Sequence, residues 1–282
     1  MKMIQNSDLS IVKACSALEI DRGNYYNWIK FPEKMNPDNG LRDTIQEISL
    51  EFIRYGYRRI TAELHRRSIK VNHKKVLRIM REENLLCSKK TSSPHTTNSN
   101  HNLPLYPNLT WDLIVTGLNQ LWVADITYVQ LDNEYVYLAA IIEIFSRKCV
   151  GWDLSRRIDA KLALSALNMA IAERKTLGFG QLIHHSDRGV QYASKEYVNR
   201  LQELGIRVSM TESGNPRENA FAESFMKTLK VEEVYLKEYE TFEEAHSNIK
   251  QFIEEVYNAK RLHSSIGYMP PNEKEAEVLN IR

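Results

Sequence analysis

The spacing of apolar residues divides the chain into a helical first part and a mixed second part. Within residues 7–31 and 41–87 apolar positions recur every three or four residues, which predicts two short helices and then three more. The apolar faces expected for the last three are Ile45, Ile48 and Phe52, then Ile60 and Leu64, then Val76, Ile79 and Met80. Residues 31–40 contain two prolines and an Asp-Asn-Gly turn sequence, which predicts a linker between the two helical groups.

After residue 120 the apolar period changes to two, as expected for β-strands. Three strands joined by short turns are predicted to form an antiparallel meander, at 121–131, 135–145 and 148–154. The elements predicted next are helix 160–175, strand 181–184, helix 194–204, strand 207–210, a Gly-Asn-Pro loop at 214–216, helix 218–235 and helix 242–257. This order predicts an α/β fold in which helices flank one mixed sheet.

A polar stretch separates the two parts of the chain. Residues 88–110 are rich in Ser, Thr, Asn and Pro and have no periodicity, which indicates a linker. The predicted organisation is therefore an N-terminal helical pair (1–36), a second helical region (41–87), the linker (88–110), the α/β core (111–260) and a C-terminal tail (261–282).

The composition is that of a globular protein, with 43% hydrophobic and 26% charged residues. No apolar run reaches the length of a membrane-spanning helix, and the N-terminus lacks the apolar core of a signal peptide. Three scattered cysteines indicate neither a disulfide framework nor a zinc site. We therefore expect a soluble protein of the cell interior.

Charge is distributed unevenly between the two parts. Residues 1–110 contain 18 Lys and Arg against 11 Asp and Glu, whereas residues 111–282 contain 20 against 25. A basic first part joined to an acidic second part indicates a module that binds polyanions, attached to a core that uses carboxylates. Chance variation in composition is the alternative explanation.

A basic face is predicted on the helix that contains Val76. Lys74, Arg78 and Arg81 are four and three residues apart, so they share one face of that helix. Together with the preceding helix and the turn at 68–72, this is the layout of a helix-turn-helix, whose second helix enters the DNA major groove. A solvated basic helix in an ordinary bundle fits the spacing equally well.

Three acidic residues occupy positions that suit metal ligands. Asp125 lies inside the first predicted strand, Asp187 follows a short strand, and Glu223 lies near the start of the long helix. Such carboxylates can converge at one edge of a sheet, where their oxygens suit Mg²⁺ or Mn²⁺. Two such ions about 4 Å apart support phosphoryl transfer. Each residue taken alone also fits an ordinary turn, capping or helix-dipole role.

The sequence around these acids resembles a known family. WVADITYV (122–129), HHSDRGVQYAS (184–194) and NPRENAFAESFMKTLKVE (215–232) resemble the three acidic motifs of DDE insertion-sequence transposases with a retroviral-integrase-like core, specifically OrfB of the insertion-sequence-three family. That family has an Asp, about sixty residues, a second Asp, thirty-five residues and a Glu. Here 61 residues separate Asp125 from Asp187, and 35 separate Asp187 from Glu223. The similarity extends over nearly the whole chain, through YGYRRITAEL (55–64), ACSALEIDRGNYYNWIK (14–30) and YNAKRLHSSIGYMPP (257–271).

The resemblance implies a ribonuclease-H-like catalytic core, preceded by an all-helical helix-turn-helix region. Asp125, Asp187 and Glu223 would be catalytic and would hold Mg²⁺ or Mn²⁺, with two ions expected. Residues expected to contact DNA are Lys74, Arg78, Arg81, His185, Gln191, Tyr192, Asn219, Lys227 and Lys230. A structural role for His185 and a surface ion pair between Lys227 and Glu223 stay open. Because Glu218 is a second nearby carboxylate, the assignment of Glu223 rests on the thirty-five-residue spacing.

The activity implied by the resemblance is DNA transposition, in which metal-dependent strand cleavage at element ends is followed by strand transfer. The partners implied are terminal inverted repeats, target DNA, further copies of the chain on DNA, and an upstream OrfA product or a frameshift fusion with it, with no membrane partner. The implied location is the bacterial cytoplasm, at the nucleoid during the reaction. A DNA-binding regulator with an inactive core and a simple ribonuclease-H-type nuclease are the alternatives. The complete acidic triad argues against the first, and the long basic helical part argues against the second.

Overall fold

A computed structural model describes residues 4, 7, 9–30, 38–87, 103–212 and 219–280. The chain divides into two compact units, Met1–Leu86 and Cys87–Arg282. The loop predicted at 214–216 and most of the linker predicted at 88–110 lie outside the described residues. No helix in the described part of the chain is long and apolar enough to span a membrane.

The described residues of the first unit are helical. Its helices are α1 (Ile11–Ala17), α2 (Arg22–Lys30), α3 (Asn39–Glu51), α4 (Tyr57–Arg66) and α5 (His73–Glu82). The apolar faces predicted for α3, α4 and α5 are confirmed, since their members are all at most 9% exposed: Ile45, Ile48, Phe52, Ile60, Leu64, Val76, Ile79 and Met80. Burial of these faces against one another holds the three helices together.

The turn between α4 and α5 is formed by residues that suit its backbone. Ser68, just after α4, has a left-handed φ of 62°, and the N–H of Ile69 bonds back to the carbonyl of Leu64 at 2.9 Å. Asn72 then caps α5, because its side chain accepts a hydrogen bond from the N–H of Lys74 at 2.8 Å. Two helices joined by this short turn match the predicted helix-turn-helix layout.

The second unit contains the sheet and its flanking helices. Its elements in chain order are β1 (Leu121–Gln130), β2 (Tyr135–Glu143), β3 (Cys149–Ser155), α6 (Ala160–Arg174), β4 (Ile183–Ser186), α7 (Lys195–Glu203), β5 (Arg207–Met210), α8 (Ala220–Glu232), α9 (Phe242–Gln251) and α10 (Pro271–Asn280). A π-helical segment, Phe252–Tyr257, continues α9.

The five strands form one mixed sheet in the order β3-β2-β1-β4-β5. The first three strands pair antiparallel, whereas β1 with β4 and β4 with β5 pair parallel. In this register Asp125 lies opposite Ala140 of β2, and Val123 lies opposite His185 of β4. The mixed sheet with helices around it confirms the predicted fold class.

Different helices cover the two faces of the sheet, because alternate residues of a strand point to opposite sides. One apolar cluster joins Leu121, Val123 and Val129 of β1 to α8 residues that include Phe225 and Leu229. The other cluster joins Trp122 and Ala124 to residues of α6 and α7, among them Leu162, Leu167 and Leu201. Asp125 has the parity of Val123 and therefore belongs to the α8 face.

The C-terminal residues pack onto this core. The side chain of Asn258 bonds to both backbone groups of Cys149 on β3, accepting from its N–H at 3.0 Å and donating to its carbonyl at 2.9 Å. Helix α10 follows within the segment that the sequence predicts as a tail. Its anchor is the buried carboxylate of Glu275, which bonds to the guanidinium of Arg174 on α6. A helix anchored through a charged residue carries little apolar periodicity, which explains why the sequence pattern does not predict it.

A buried polar network, which we call the Glu275 network, joins α10 to the turn between β2 and β3. The hydroxyl of Ser146 lies 2.6 Å from Oε2 of Glu143 and 2.7 Å from Oε1 of Glu275. A hydroxyl has one hydrogen to donate, so a proton on one carboxyl is needed to satisfy both contacts. Burial raises the pKa of Glu143, which favours that proton. The network therefore links the turn to α10 and, through Arg174, to α6.

Candidate active site

The first acidic residue lies in the middle of the central strand. Asp125 is partly buried on β1, and its Oδ1 accepts a hydrogen bond from the N–H of Ile126 at 2.9 Å. The flanking residues alternate between the two apolar clusters of the core, so the strand holds this carboxylate at a defined height on the α8 face. A charge at such a position is costly unless a cation or hydrogen bonds compensate it.

The second acidic residue lies where β4 ends beside β1. Because Trp122 and Val123 pair parallel with His184 and His185, the chain leaves β4 next to the middle of β1 and places Asp187 there. Oδ1 of Asp187 accepts from the N–H of Gly189 at 2.9 Å. A Cβ at position 189 would lie 2.9 Å from the same oxygen, so a side chain there would displace the carboxylate.

The third acidic residue is carried by the first turn of α8. Asn219, just before the helix, donates through Nδ2 to the carbonyl of Ala124 at 3.1 Å, which ties the helix start to the strand residue before Asp125. The apolar side of α8 packs on the sheet through Ala222, Phe225, Met226 and Leu229. Glu223 is exposed on the helix surface.

The three acids are coupled electrostatically. Burial raises the pKa of Asp125 to about 7, and the negative charges of Asp187 and Glu223 add to the shift. The hydrogen bond from Ile126 and the charge of Lys230 act in the opposite direction. Residues separated by 61 and 35 positions in sequence therefore act on one carboxyl group in the fold.

The described residues contain no group of three or more His, Cys, Asp or Glu side chains close enough to hold a metal ion as they stand. Several features nevertheless suit a hard divalent cation. The oxygens of the acids are the ligands such ions prefer, and a cation would offset the burial and the carboxylate repulsion that raise the pKa of Asp125. Oδ1 of Asn219 and the hydroxyl of Tyr192 are buried without a hydrogen-bond partner among the described residues. Water bound to a cation would supply such partners.

Comparison with known proteins agrees with this architecture. Two models of the integrase core domain match residues 116–216 and 204–271, and a model of an HTH-like domain matches residues 37–91. The chain is 37% identical over 265 residues to the insertion element IS600 uncharacterized 31 kDa protein of Shigella sonnei, covering 91% of this chain and 95% of that relative. It is 32% identical over 279 residues to transposase InsF for insertion sequence IS3A of Escherichia coli strain K12, covering 97% of this chain and 96% of that protein.

The chain belongs to the IS3 family of insertion-sequence transposases. It is a DNA transposase with an integrase core and an HTH-like region, as the sequence resemblance implies. Among solved structures, the simian T-cell lymphotropic virus intasome in complex with PP2A regulatory subunit B56 gamma aligns with a TM-score of 0.47 and 20% identity. That alignment covers 82% of this chain and 73% of the viral chain.

Two lysines of the transposase share α8 with Glu223 and differ in environment. Lys230 is 8% exposed, and its Nζ lies 4.1 Å from the centroid of the Tyr128 ring, a cation–π contact. Burial lowers the pKa of Lys230, and the charge of Asp125 opposes that shift. Lys227 is exposed and forms no ion pair with Glu223 within the described residues. The ammonium of Lys230 is therefore the one held towards Asp125.

Three residues predicted to contact DNA lie within five positions of Asp187 in the sequence. His185 is fully buried, and its Nδ1 lies 2.8 Å from the hydroxyl of Ser209. Tyr192 is 3% exposed and packs against Tyr197. Gln191 is partly exposed and donates weakly to the carbonyl of Ile158 at 3.4 Å. The side chains of His185 and Tyr192 are therefore buried, whereas Gln191 reaches the surface.

Ion pairs neutralise part of the positive charge on the basic face of α5. Lys74, Arg78 and Arg81 are all exposed. Arg78, however, bonds to Asp38 at 2.8 Å and to Glu82 at 2.7 Å, so nearby carboxylates neutralise its charge. For Lys74 and Arg81 no ion pair forms with a carboxylate in the described ranges. These two residues therefore carry most of the free positive charge on this face.

Sequence reasoning does not identify some residues that shape the site. Tyr128 lies in the same strand motif as Asp125, and its contact with Lys230 depends on how α8 crosses the sheet. Asp38 lies forty residues before Arg78, in a stretch predicted to be a linker. No local pattern marks either residue, because both contacts join segments that are distant along the chain.

Proposed function

We propose that Asp125, Asp187 and Glu223 form the acidic triad of a DDE-type polynucleotidyl transferase. The observation that supports this most strongly is the packing around Asp125: β4, which leads into Asp187, pairs parallel with β1, and Asn219 ties the start of α8 to Ala124. Carboxyls with a raised pKa, such as Asp125, concentrate at functional sites. The helix-dipole alternative for Glu223 accounts for its position on the first turn but not for its coupling to Asp125.

The same three residues would hold Mg²⁺ or Mn²⁺, and two ions fit the proposed chemistry. When bound, such ions activate the attacking oxygen and stabilise the leaving oxygen of an in-line displacement at phosphorus. The exposed side chain of Glu223 has the rotational freedom to move towards the other two acids.

The remaining residues of the site would bind and orient the DNA strand. Lys230, held beside the Tyr128 ring, would neutralise a phosphate next to the cleaved bond. Lys227 and Gln191 lie at the surface and would contact the neighbouring backbone. Asn219 would fix the start of α8 relative to β1, through its bond to Ala124. Tyr192 is 3% exposed and is given no direct DNA contact, whereas His185, although buried, lines a cavity on the α8 face and stays a proposed contact.

The proposed substrates are the terminal inverted repeats of an insertion sequence and a target DNA. The helix-turn-helix would bind the repeats through the exposed positive charge of α5, with Lys74 and Arg81 contributing most. We further propose that several copies of the chain act together on DNA, and that an OrfA product or a fusion with it assists the binding of element ends.

A strand-transfer assay tests this function. Labelled oligonucleotides carrying the flanking inverted repeat are incubated with the full chain, target DNA and Mg²⁺. We expect nicked element ends and then joined products that contain both DNAs. Cleavage without joined products would favour a simple nuclease, and binding without cleavage would favour a regulator with an inactive core.

Salt dependence of binding tests the role of α5. Replacing Lys74 or Arg81 by alanine is expected to lower affinity for DNA of any sequence and to reduce the slope of log K against log salt by about 1 for each phosphate that is no longer neutralised. The measurement is fluorescence anisotropy of a labelled duplex over a series of salt concentrations.

Arg78→Ala provides a comparison on the same helix. Its charge is already paired with Asp38 and Glu82, so we expect a clearly smaller change in slope. If the slope of log K against log salt fell equally in all three variants, the ion pairs would not reduce the contribution of Arg78. If the slope in all three variants stayed that of the unmodified chain, α5 would be excluded as the phosphate-binding helix.

A further inference from the structure

A cavity of about 890 Å³ lies on the α8 face of the core. Its walls come from the loop before β1, the first residues of β1, one residue of β4, the turn between β2 and β3, the start of α8, the segment 265–269 and the start of α10. The residues that matter for its chemistry are Trp111, Phe145, Arg147, Phe221 and Lys274. Aromatic and cationic side chains therefore line one cleft that is open to solvent.

The aromatic residues of this cavity are unusually accessible. Trp111 is 62% exposed and Phe221 is 43% exposed, although both side chains are large and apolar. The guanidinium of Arg147 lies 4.0 Å from the centroid of the Phe221 ring. Arginine planes and aromatic faces of this kind are the surfaces on which nucleic-acid bases stack.

Arg147 combines a left-handed backbone with a cation that has no carboxylate partner among the described residues. Its φ is 66°, which is an outlier for a residue with a long side chain. In the part of the chain that the structure describes, Arg147 forms no ion pair with a carboxylate, and its buried Nε has no hydrogen-bond partner. The preceding residue, Ser146, is held by its contacts with Glu143 and Glu275 in the Glu275 network.

The cavity is not lined by any of the three acids, but residues close to each of them in sequence line it. Val123, His185 and Phe221 line it, and they lie two residues before Asp125, Asp187 and Glu223 respectively. In a strand, residues two apart share a face and are about 7 Å apart. Val123 therefore places the cavity about 7 Å from Asp125, on the same face of β1.

We propose that this cavity binds an unpaired nucleotide of the DNA strand, next to the phosphate that is cleaved or joined. The base would stack on Trp111 and on the Arg147–Phe221 pair, and its phosphate would lie near the Arg147 cation. This inference rests on the proposed function and adds to it a requirement for local melting of the DNA end. Paired bases present only their edges in the grooves, whereas an unpaired base can present a face to an aromatic ring.

A fluorescent base tests the proposal directly. A forked DNA carries 2-aminopurine in its unpaired end, and a fully paired duplex carries the same base inside the helix. The full chain is added in EDTA, so that no cleavage is required. We expect the fluorescence of the fork, but not that of the duplex, to be quenched by stacking. We also expect tighter binding of the fork.

Substitutions in the cavity should remove this preference. Phe221→Leu and Arg147→Gly are each expected to weaken fork binding about tenfold, in the range that loss of one stacked base produces, and to leave duplex binding unchanged. Glycine at position 147 tolerates the left-handed backbone, and Phe221 is exposed, so both variants should fold. Phe221→Tyr should bind the fork like the unmodified chain.

A second arginine–phenylalanine pair provides the control. Arg156 lies 4.5 Å from the Phe242 ring on the same core but does not line the cavity, so Arg156→Ala should bind the fork normally. Absence of quenching, or normal fork binding by Phe221→Leu and Arg147→Gly, would overturn the proposal. Loss of self-association in these variants with unchanged quenching would also overturn it, because the cavity would then be an interface between copies. Cleavage by acid-site variants tests the proposed function separately.

Discussion

Asp125→Asn is expected to lower Mg²⁺-dependent cleavage of element ends by about a thousandfold or more, while binding of the same DNA persists. The expected size follows from the several kcal/mol that metal-assisted stabilisation contributes to phosphoryl transfer, since about 1.4 kcal/mol corresponds to a factor of ten. Asparagine keeps an oxygen that can accept from the N–H of Ile126 but loses the negative charge that a cation requires. Single-turnover cleavage of a labelled element end measures the rate.

The same substitution is expected to stabilise the protein in a chelating buffer. Burial and the charges of Asp187 and Glu223 raise the pKa of Asp125 to about 7, so above that pH the folded chain holds a carboxylate in an unfavourable environment. A neutral side chain removes this cost, and we expect a gain of about 1–3 kcal/mol in the free energy of unfolding, given about 1.4 kcal/mol per pKa unit. Urea unfolding followed by tryptophan fluorescence checks the gain.

Asp132→Asn is the matched control for both measurements. Asp132 is exposed in the turn after the same strand, so its replacement should change neither cleavage nor stability. Full cleavage by Asp125→Asn would remove this residue from the site. If Asp125→Asn instead destabilised the protein enough to unfold it under the assay conditions, the lost cleavage would reflect the fold rather than a role of Asp125 in the reaction.

Glu275→Ala is expected to destabilise the α/β unit by about 3–5 kcal/mol, the range for breaking a buried ion pair by removing one partner. Arg174 is 3% exposed, and its guanidinium bonds to Glu275, so the substitution leaves a buried positive charge without its carboxylate. Ser146 loses an acceptor at the same time. Urea unfolding detected through the buried Trp122 and Trp152 reports on this unit.

Glu277→Ala on the same helix is the control that removes a carboxylate from the surface rather than from a buried ion pair. Glu277 pairs with Lys274 at 3.2 Å on the surface, so its loss should cost less than about 1 kcal/mol. If Glu275→Ala were no more destabilising than Glu277→Ala, the network would not anchor α10. Replacing Arg174 by Met and Glu275 by Leu together should recover part of the stability, because no buried charge is left unpaired.

Local patterns predict most of the elements. Strand β5 (Arg207–Met210) has the predicted bounds, and β1 differs from its prediction by one residue at its end. The short strand β4 lies two residues later than predicted, because four residues are too few to show a period of their own. The sequence pattern does not predict helix α10, since its contact with the core depends on Glu275.

The acids of the candidate site can be named from the sequence, and their neighbours cannot. Asp125, Asp187 and Glu223 stand out through motif and spacing. The burial of His185 and the cation–π contact between Lys230 and Tyr128 depend on how α8 and β4 pack against β1. Arg147 and Phe221 are likewise distant in sequence, and their contact forms only when the turn after β2 packs against the start of α8.

The sequence by itself determined the order of helices and strands, the basic first part and the identity of the three acids, because periodicity, composition and spacing are properties of the chain as written. Only the tertiary structure decided which charges act on one another, which basic residues stay free of carboxylates and where a base could stack. Those properties depend on distances and burial, and both arise when segments far apart along the chain pack together.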